Sequence, residues 1–263
     1  MLFCMPTSGE HLFSLATKQE TFVTLRPLLL AAALLLATPA AIAQSTPQAT
    51  LERFVALANA GQLTTPEGQA LLTGEARQMA TGAKSALPAA DRIIPIGQDK
   101  AAARFVLRGR NGEEADAYFY LEKTPQGWAV SAYRAMAMTG ISVALLAELQ
   151  KRPRLTAEEE FEKRNLQLSL STDSQLRAWF AANRATIEAL AKSQGDDTTA
   201  RAKALGVQSL NSDGGKTDIV IGGMVDNTVG VLRPGPSGPP QIEPSSFIWV
   251  EDIGGGWFLY RTT

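Results

Sequence analysis

Between Thr46-Pro47 and Gly61, the apolar residues Leu51, Phe54, Val55 and Ala58 recur at helical spacing, so a helix is expected there, capped by Thr46 and ended by Gly61. Thr65-Pro66-Glu67 repeats the start signal before a short helix carrying Leu71 and Leu72, and a weaker helical stretch runs from Gly74 toward Lys84. From Arg92 the period changes. Ile93 to Ile96, Ala103 to Leu107, Ala115 to Leu121 and Trp128 to Tyr133 are short runs divided by Gly, Asn and Pro, the punctuation of an antiparallel meander. Ile141 to Gln150 is again helical in pattern and ends on Lys151-Arg152-Pro153-Arg154, where a domain boundary fits.

The second half opens on the capping box Thr156-Ala157-Glu158-Glu159, with Glu159 and Lys163, and Glu160 and Arg164, spaced for ion pairs along a helix. Those acids are read as helix chemistry. A longer helix from Asp173 presents Leu176, Trp179, Phe180, Ile187 and Leu190 as a core stripe. Strands follow at Thr217 to Met224 and Thr228 to Leu232. The chain then closes on a hairpin of Phe247 to Glu251 and Trp257 to Arg261. The expected fold is therefore α+β, helices packed on antiparallel sheets in two small modules, residues 44–152 and 153–263, behind a leader of residues 1–43. Laying Tyr118 to Glu122 over Phe247 to Glu251 also superposes Gly127-Trp128 on Gly256-Trp257, which raises a distant duplication as one reading of the two halves. The Pro- and Gly-rich stretch Arg233 to Ser246 is expected to be a connector, outside the core, with a docking loop as its alternative.

The leader changes what chemistry is available. Arg26, the apolar run Leu28 to Ala37 and the small-x-small site Ala41-Ile42-Ala43 form a secretory signal with cleavage near Ala43-Gln44, and the run is too short to span a bilayer. The unpatterned residues before Arg26 suggest translation starting near Val23 or Leu25. A periplasmic or secreted product follows, with no stable membrane insertion. The only cysteine, Cys4, and the only histidine, His11, are then removed. That leaves the mature chain without disulfides, Cys or His metal ligands, thiol nucleophiles or histidine-dependent triads. The whole chain has 25 Lys and Arg against 26 Asp and Glu, and the leader holds two of each sign, so nothing points to nucleic acid as a partner. No cofactor is expected. Gly214-Gly215-Lys216-Thr217 has Leu210 where a phosphate loop has its first glycine and reads as a polar turn; Gly235-Pro236-Ser237-Gly238 lacks the spacing of a nucleophile elbow.

The hairpin through Asn111-Gly112 carries the candidate site. A three-residue loop, Asn111 to Glu113, pairs Phe105 with Phe119 and Leu107 with Ala117 on one face, and Arg108 with Asp116 and Arg110 with Glu114 on the other. The polar face is either solvated or lines a pocket with Arg104, Asp116, Tyr118, Tyr120 and Glu122; with Arg108 these are the candidate binding residues.

Residues 46–136 run from helix to short helices to curled meander, opening on Leu51-Glu52-Arg53-Phe54-Val55-Ala56-Leu57-Ala58-Asn59-Ala60-Gly61 and closing on Gly127-Trp128-Ala129-Val130. This stretch resembles the NTF2-like or cystatin-like α+β superfamily. That resemblance implies a cone-shaped pocket in a fold shared by isomerases, dehydratases and non-catalytic binding proteins, and the His and Asp dyads of its enzymes have no counterpart here. The expected function is that of an exported, soluble, non-catalytic protein of the bacterial cell envelope that binds a small ligand or another exported protein. The alternatives are a carboxylate- and Tyr-dependent enzyme using Asp116, Tyr118, Tyr120 and Glu122, and an inhibitor or immunity-type partner acting through Arg233 to Ser246 and the last hairpin.

Overall fold

In a computed structural model, residues 46–109, 112–136, 139–193, 196–224 and 227–263 are described. The expected leader and its expected cleavage site, with Cys4 and His11, lie outside them, as do Arg110 and Asn111. Helix α1 (Pro47–Ala60) starts where Thr46 accepts the Ala49 N–H and stops at Gly61, whose φ of 73° lies in the left-handed region that glycine enters without steric cost. Helix α2 (Pro66–Ala70) is capped the same way by Thr65, and α3 is confined to Gly74–Met79. A four-stranded antiparallel sheet follows in the order β1 (Arg92–Ile96), β2 (Lys100–Arg108), β3 (Glu114–Thr124), β4 (Gly127–Ala135).

Helices α4 (Thr139–Lys151), α5 (Ala157–Ser169), α6 (Asp173–Lys192) and α7 (Asp196–Ala204) come next, then β5 (Ser209–Asp213), β6 (Lys216–Met224), β7 (Asn227–Arg233), β8 (Phe247–Gly254) and β9 (Trp257–Thr262). The second sheet is antiparallel in the order β5-β6-β7-β9-β8. The expected capping box is formed at Thr156 with Glu159, and a second, not anticipated from the sequence, is formed at Thr172 with Gln175. Glu159 pairs with Arg152 rather than with Lys163, whereas Glu160 does reach Arg164 at 3.9 Å. Gly214 and Gly215, with φ of 55° and 82°, form the two-residue turn between β5 and β6, so the glycine-lysine stretch is a hairpin turn.

Period two explains the layering. In β2 and β3 the odd-numbered Phe105, Phe119 and Leu121 join Leu51 and Phe54 of α1 in one core, while Tyr118 and Tyr120 turn to the opposite face. In β7 and β9, Val229, Val231, Trp257 and Leu259 pack on Leu176, Phe180 and Ile187 of α6. The remaining faces of the two sheets meet in a third core, where Tyr118, Tyr120 and Ala132 contact Leu232, Ile248, Trp249 and Tyr260. The layers run helix, sheet, sheet, helix.

Two sequence expectations need correction. The β2–β3 register pairs Phe105 with Ala117, Leu107 with Ala115 and Arg108 with Glu114, two residues from the expected one, because the ladder continues to a hydrogen bond from Gly109 N–H to Glu113. A shift of two preserves the facing of every side chain, which is why the apolar and polar faces still separate. The Arg233 to Ser246 stretch does contribute to the core, since Ile242 is buried between the sheets and the Pro244 carbonyl accepts from Arg134 Nε at 2.9 Å. The final hairpins also differ in placement. β3 is interior to its sheet whereas β8, its counterpart in the superposition, is an edge strand.

Candidate functional site

Arg104 and Tyr118 are directly paired across β2 and β3, so they share the face turned to the second sheet, with Asp116 and Tyr120 two residues to either side on the same strand. That face is covered. Arg104 is 1% exposed, Tyr118 0% and Asp116 8%, so the expected pocket lining or solvated surface is a sealed polar layer. Its complement comes from distant sequence. The capping box at Thr172 sets Asp173 at the first turn of α6, fully buried. There Asp173 Oδ2 accepts from Tyr118 Oη at 2.9 Å and Arg104 Nη1 at 3.3 Å, and its Oδ1 accepts from Arg261 Nε at 2.7 Å. Glu251 Oε2 accepts from Arg104 Nη1 at 3.0 Å and Trp249 Nε1 at 3.2 Å, and its Oε1 accepts from Arg177 Nη1 at 2.6 Å. Arg104 also pairs with Asp91, and Tyr118 stacks on Trp249 with ring centroids 5.1 Å apart.

Such a network holds the sheets in one register, since the guanidiniums of Arg104 and Arg261 each meet carboxylates from more than one element. Burial pulls the Arg104 pKa down, but the hydrogen bond to Asp91 and the charges of Asp173, Glu251 and Asp116 outweigh it, and the net shift is upward. Burial pushes the Tyr118 hydroxyl well above its usual value. Asp116 is pushed up to about 7, first by burial and then by the negative charge of Asp173, against the pull of Arg261. Its Oδ2 accepts the Asp173 N–H at 2.6 Å, while its buried Oδ1 has no hydrogen-bond partner among the described residues and lies 4.0 Å from Arg104 Nε. Asp116 and Arg261 line a small cavity of about 60 Å³ beside Ser171.

The other candidates lie apart. Arg108 is on the surface, where it pairs with Glu114 at 2.9 Å. Tyr120 donates to the Ile248 carbonyl at 2.6 Å in the layer between the sheets, and burial raises its pKa. Glu122 is half-buried opposite Lys100. Sequence reasoning missed Asp173, Glu251 and Arg261. The signal was a charged residue inside an aromatic strand: Glu251 follows Phe247-Ile248-Trp249-Val250, and Arg261 follows Trp257-Phe258-Leu259-Tyr260.

A concave space does exist beside the first sheet, on its opposite face. A cavity of about 250 Å³ lies between α1, α3 and the helix-facing side of β2, β3 and β4. Phe54 and Ala58 of α1, Ala76 and Met79 of α3, and Leu107, Phe119 and Tyr133 of the strands contribute to its wall. Every lining side chain is apolar except Ser85 and Tyr133. Phe119 sits at its base, with ring centroids 5.4 Å from Phe54, 4.7 Å from Phe105 and 5.0 Å from Tyr133. Met79, 56% exposed, lies at the rim.

The strap that follows α3 closes one side. Asn59 Nδ2 donates to the Leu87 carbonyl at 2.9 Å and its Oδ1 accepts the Leu87 N–H at 2.8 Å, while the Ser85 N–H reaches the Ala58 carbonyl at 3.0 Å. These bonds pin the strap to α1 and set Ser85 and Leu87 in the wall. Among the described residues no group of His, Cys, Asp and Glu is arranged to hold a metal ion, and no helix is long and apolar enough to cross a membrane. No family model, no curated protein and no solved structure matches this chain.

Proposed function

We propose that this is an exported, non-catalytic protein of the cell envelope that binds a small apolar molecule in the cavity beneath α1 and α3. The observation that carries this reading is the composition of the cavity wall: about 250 Å³ lined by apolar side chains, with no carboxylate, amine or guanidinium among them. A wall of this kind supplies burial and shape without a general acid or base of ordinary reactivity. The size suits the reading. An engineered apolar cavity of about 150 Å³ holds benzene, so this one suits a ligand of on the order of ten non-hydrogen atoms. The helices laid over a meander with a space between them also support the resemblance to the NTF2-like or cystatin-like superfamily.

The carboxylate-dependent enzyme has less support, because Asp116, Tyr118 and Tyr120 are turned into the layer between the sheets and Glu122 is not in the cavity wall. The test is native mass spectrometry of the protein recovered from envelope extract, compared with its denatured mass. A retained small apolar molecule, absent from an Ala76→Leu variant that fills the cavity, supports the reading. A bare chain that takes up neither toluene nor 1-octanol when titrated sinks it. Export is tested by the same spectrum, which is expected to give a chain beginning at Gln44.

A further inference from the structure

We infer that the cavity beneath α1 and α3 selects an uncharged molecule, largely hydrocarbon, that carries one hydroxyl or carbonyl group, and that Tyr133 and Ser85 orient this group. The inference rests on the cavity reading above and adds the chemical class of the ligand.

Two features of the wall lead to it. The first is the contrast between the two polar side chains and the rest. Tyr133 lies on β4, its ring against Phe119, and Ser85 is placed in the wall by the hydrogen bond from its own N–H to Ala58. Among the described residues neither hydroxyl has a protein hydrogen-bond partner; Tyr133 is half-buried and Ser85 is exposed, at the mouth of the wall. By contrast, the buried hydroxyls of Tyr118 and Tyr120 in the layer between the sheets are both bonded to protein acceptors. A hydroxyl left open in an otherwise apolar wall offers a donor and an acceptor to whatever fills the space, and a ligand group that meets it avoids the loss of hydration that burial would otherwise impose. Burial raises the Tyr133 pKa, which keeps that hydroxyl protonated and able to donate.

The second feature is the absence of any ionisable Lys, Arg, Asp, Glu or His among the lining residues. A ligand carboxylate or ammonium drawn into this wall would lose its water without gaining a counter-charge, so charged amphiphiles are disfavoured relative to their neutral analogues. Hydrocarbon gives the bulk of the affinity and the hydroxyl pair gives orientation, in the usual division of labour of a small-molecule site.

The experiment uses the mature chain and isothermal titration with three probes at pH 8: toluene, which has no polar group, 1-octanol and octanoate. The expected result is measurable binding of toluene and 1-octanol, with octanoate at least about tenfold weaker than the alcohol. In the double variant Tyr133→Phe, Ser85→Ala, 1-octanol should weaken about fivefold for the loss of hydrogen bonding while toluene is unchanged. Because neither hydroxyl bonds to the protein, the variant is expected to keep the wild-type unfolding midpoint. Toluene binding with octanoate equal to or tighter than octanol would overturn the inference and leave the cavity reading standing, as would an octanol affinity indifferent to the double variant. Failure of all three probes to bind would overturn both.

Discussion

The backbone N–H of Asp173 donates to Asp116 Oδ2 at 2.6 Å, so a carboxylate on β3 of the first sheet serves the N-terminus of α6 in the second half. The helix end favours negative charge there. The same carboxylate stands 3.5 Å from Arg261 Nη2 and faces the charge of Asp173 in a site closed to water. Desolvation and like charge prevail over these two favourable contacts and the charge of Arg104, and Asp116 holds its proton to about pH 7.

This has a definite sign for stability. The folded pKa of Asp116, about 7, lies above its ordinary value of 3.8, so the folded state binds the proton more tightly. The stabilisation is complete below the unfolded pKa and is lost as pH rises through 7. Asp116→Asn keeps the acceptor for Asp173 N–H and cannot ionise. Relative to this variant, the natural protein should lose up to about 1.4 kcal/mol per pH unit between pH 4 and 7. Urea unfolding at pH 5, 6, 7 and 8 checks it; parallel curves for the two proteins contradict it.

Arg104 and Arg108 lie four residues apart on one strand and separate the structural from the superficial. Arg104→Met leaves Asp173 and Glu251 buried with less compensation, a loss of about 3–5 kcal/mol. Arg104→Lys keeps the charge without the planar fork and is expected to fall between. Arg108→Ala removes only a surface pair with Glu114 and should leave the urea midpoint unchanged. Equal effects of Arg104→Met and Arg108→Ala would mean that the buried network contributes nothing.

The contrast also shows what the sequence could and could not reveal. Capping residues and short-range periodicity act locally, so Thr46, Thr65 and Thr156 announced their helices and the alternation in β2 and β3 announced two faces, even with the register misplaced by two residues. What covers the polar face is not local. Arg104 meets Asp173 and Glu251, residues 69 and 147 positions away, and from one strand alone a polar face on its way to burial resembles a solvated one. A pocket was one of two readings of that face, beside a solvated surface, because polar side chains suggest a site; the cavity lies on the apolar face instead. The helix α7 and the strand β5 were missed for a simpler reason: Ser209-Leu210-Asn211-Ser212-Asp213 is a polar edge strand with little alternation, and α7 carries few apolar residues to mark a stripe.

Tyr118 tests whether the network or the ring stack holds the sheets together. Tyr118→Phe retains the stack on Trp249 and removes the donor to Asp173 Oδ2, which then keeps only the 3.3 Å contact with Arg104. The expected loss is about 2 kcal/mol, the range for a hydrogen bond to a charged group. Tyr118→Leu removes both features and should lose more. If Tyr118→Phe and the natural protein unfold at the same urea concentration, the hydroxyl contributes nothing and the aromatic stack carries the contact.

The final prediction concerns the cavity, where stability and binding should move in opposite directions. Ala76 lies on α3 in the wall, and replacing it by Leu places additional methyl and methylene groups in space that is otherwise empty. Each CH₂ buried is favourable by about 0.8 kcal/mol, less the side-chain entropy lost, so Ala76→Leu should raise stability by about 1 kcal/mol and lift the thermal midpoint. The same groups occupy the volume a ligand needs, so toluene affinity should fall at least about tenfold. A thermal scan and a toluene titration read both effects on one sample. A variant that is less stable and binds toluene as before would show that the side chain does not enter the cavity, whereas one that is more stable and still binds toluene as before would place the ligand site elsewhere.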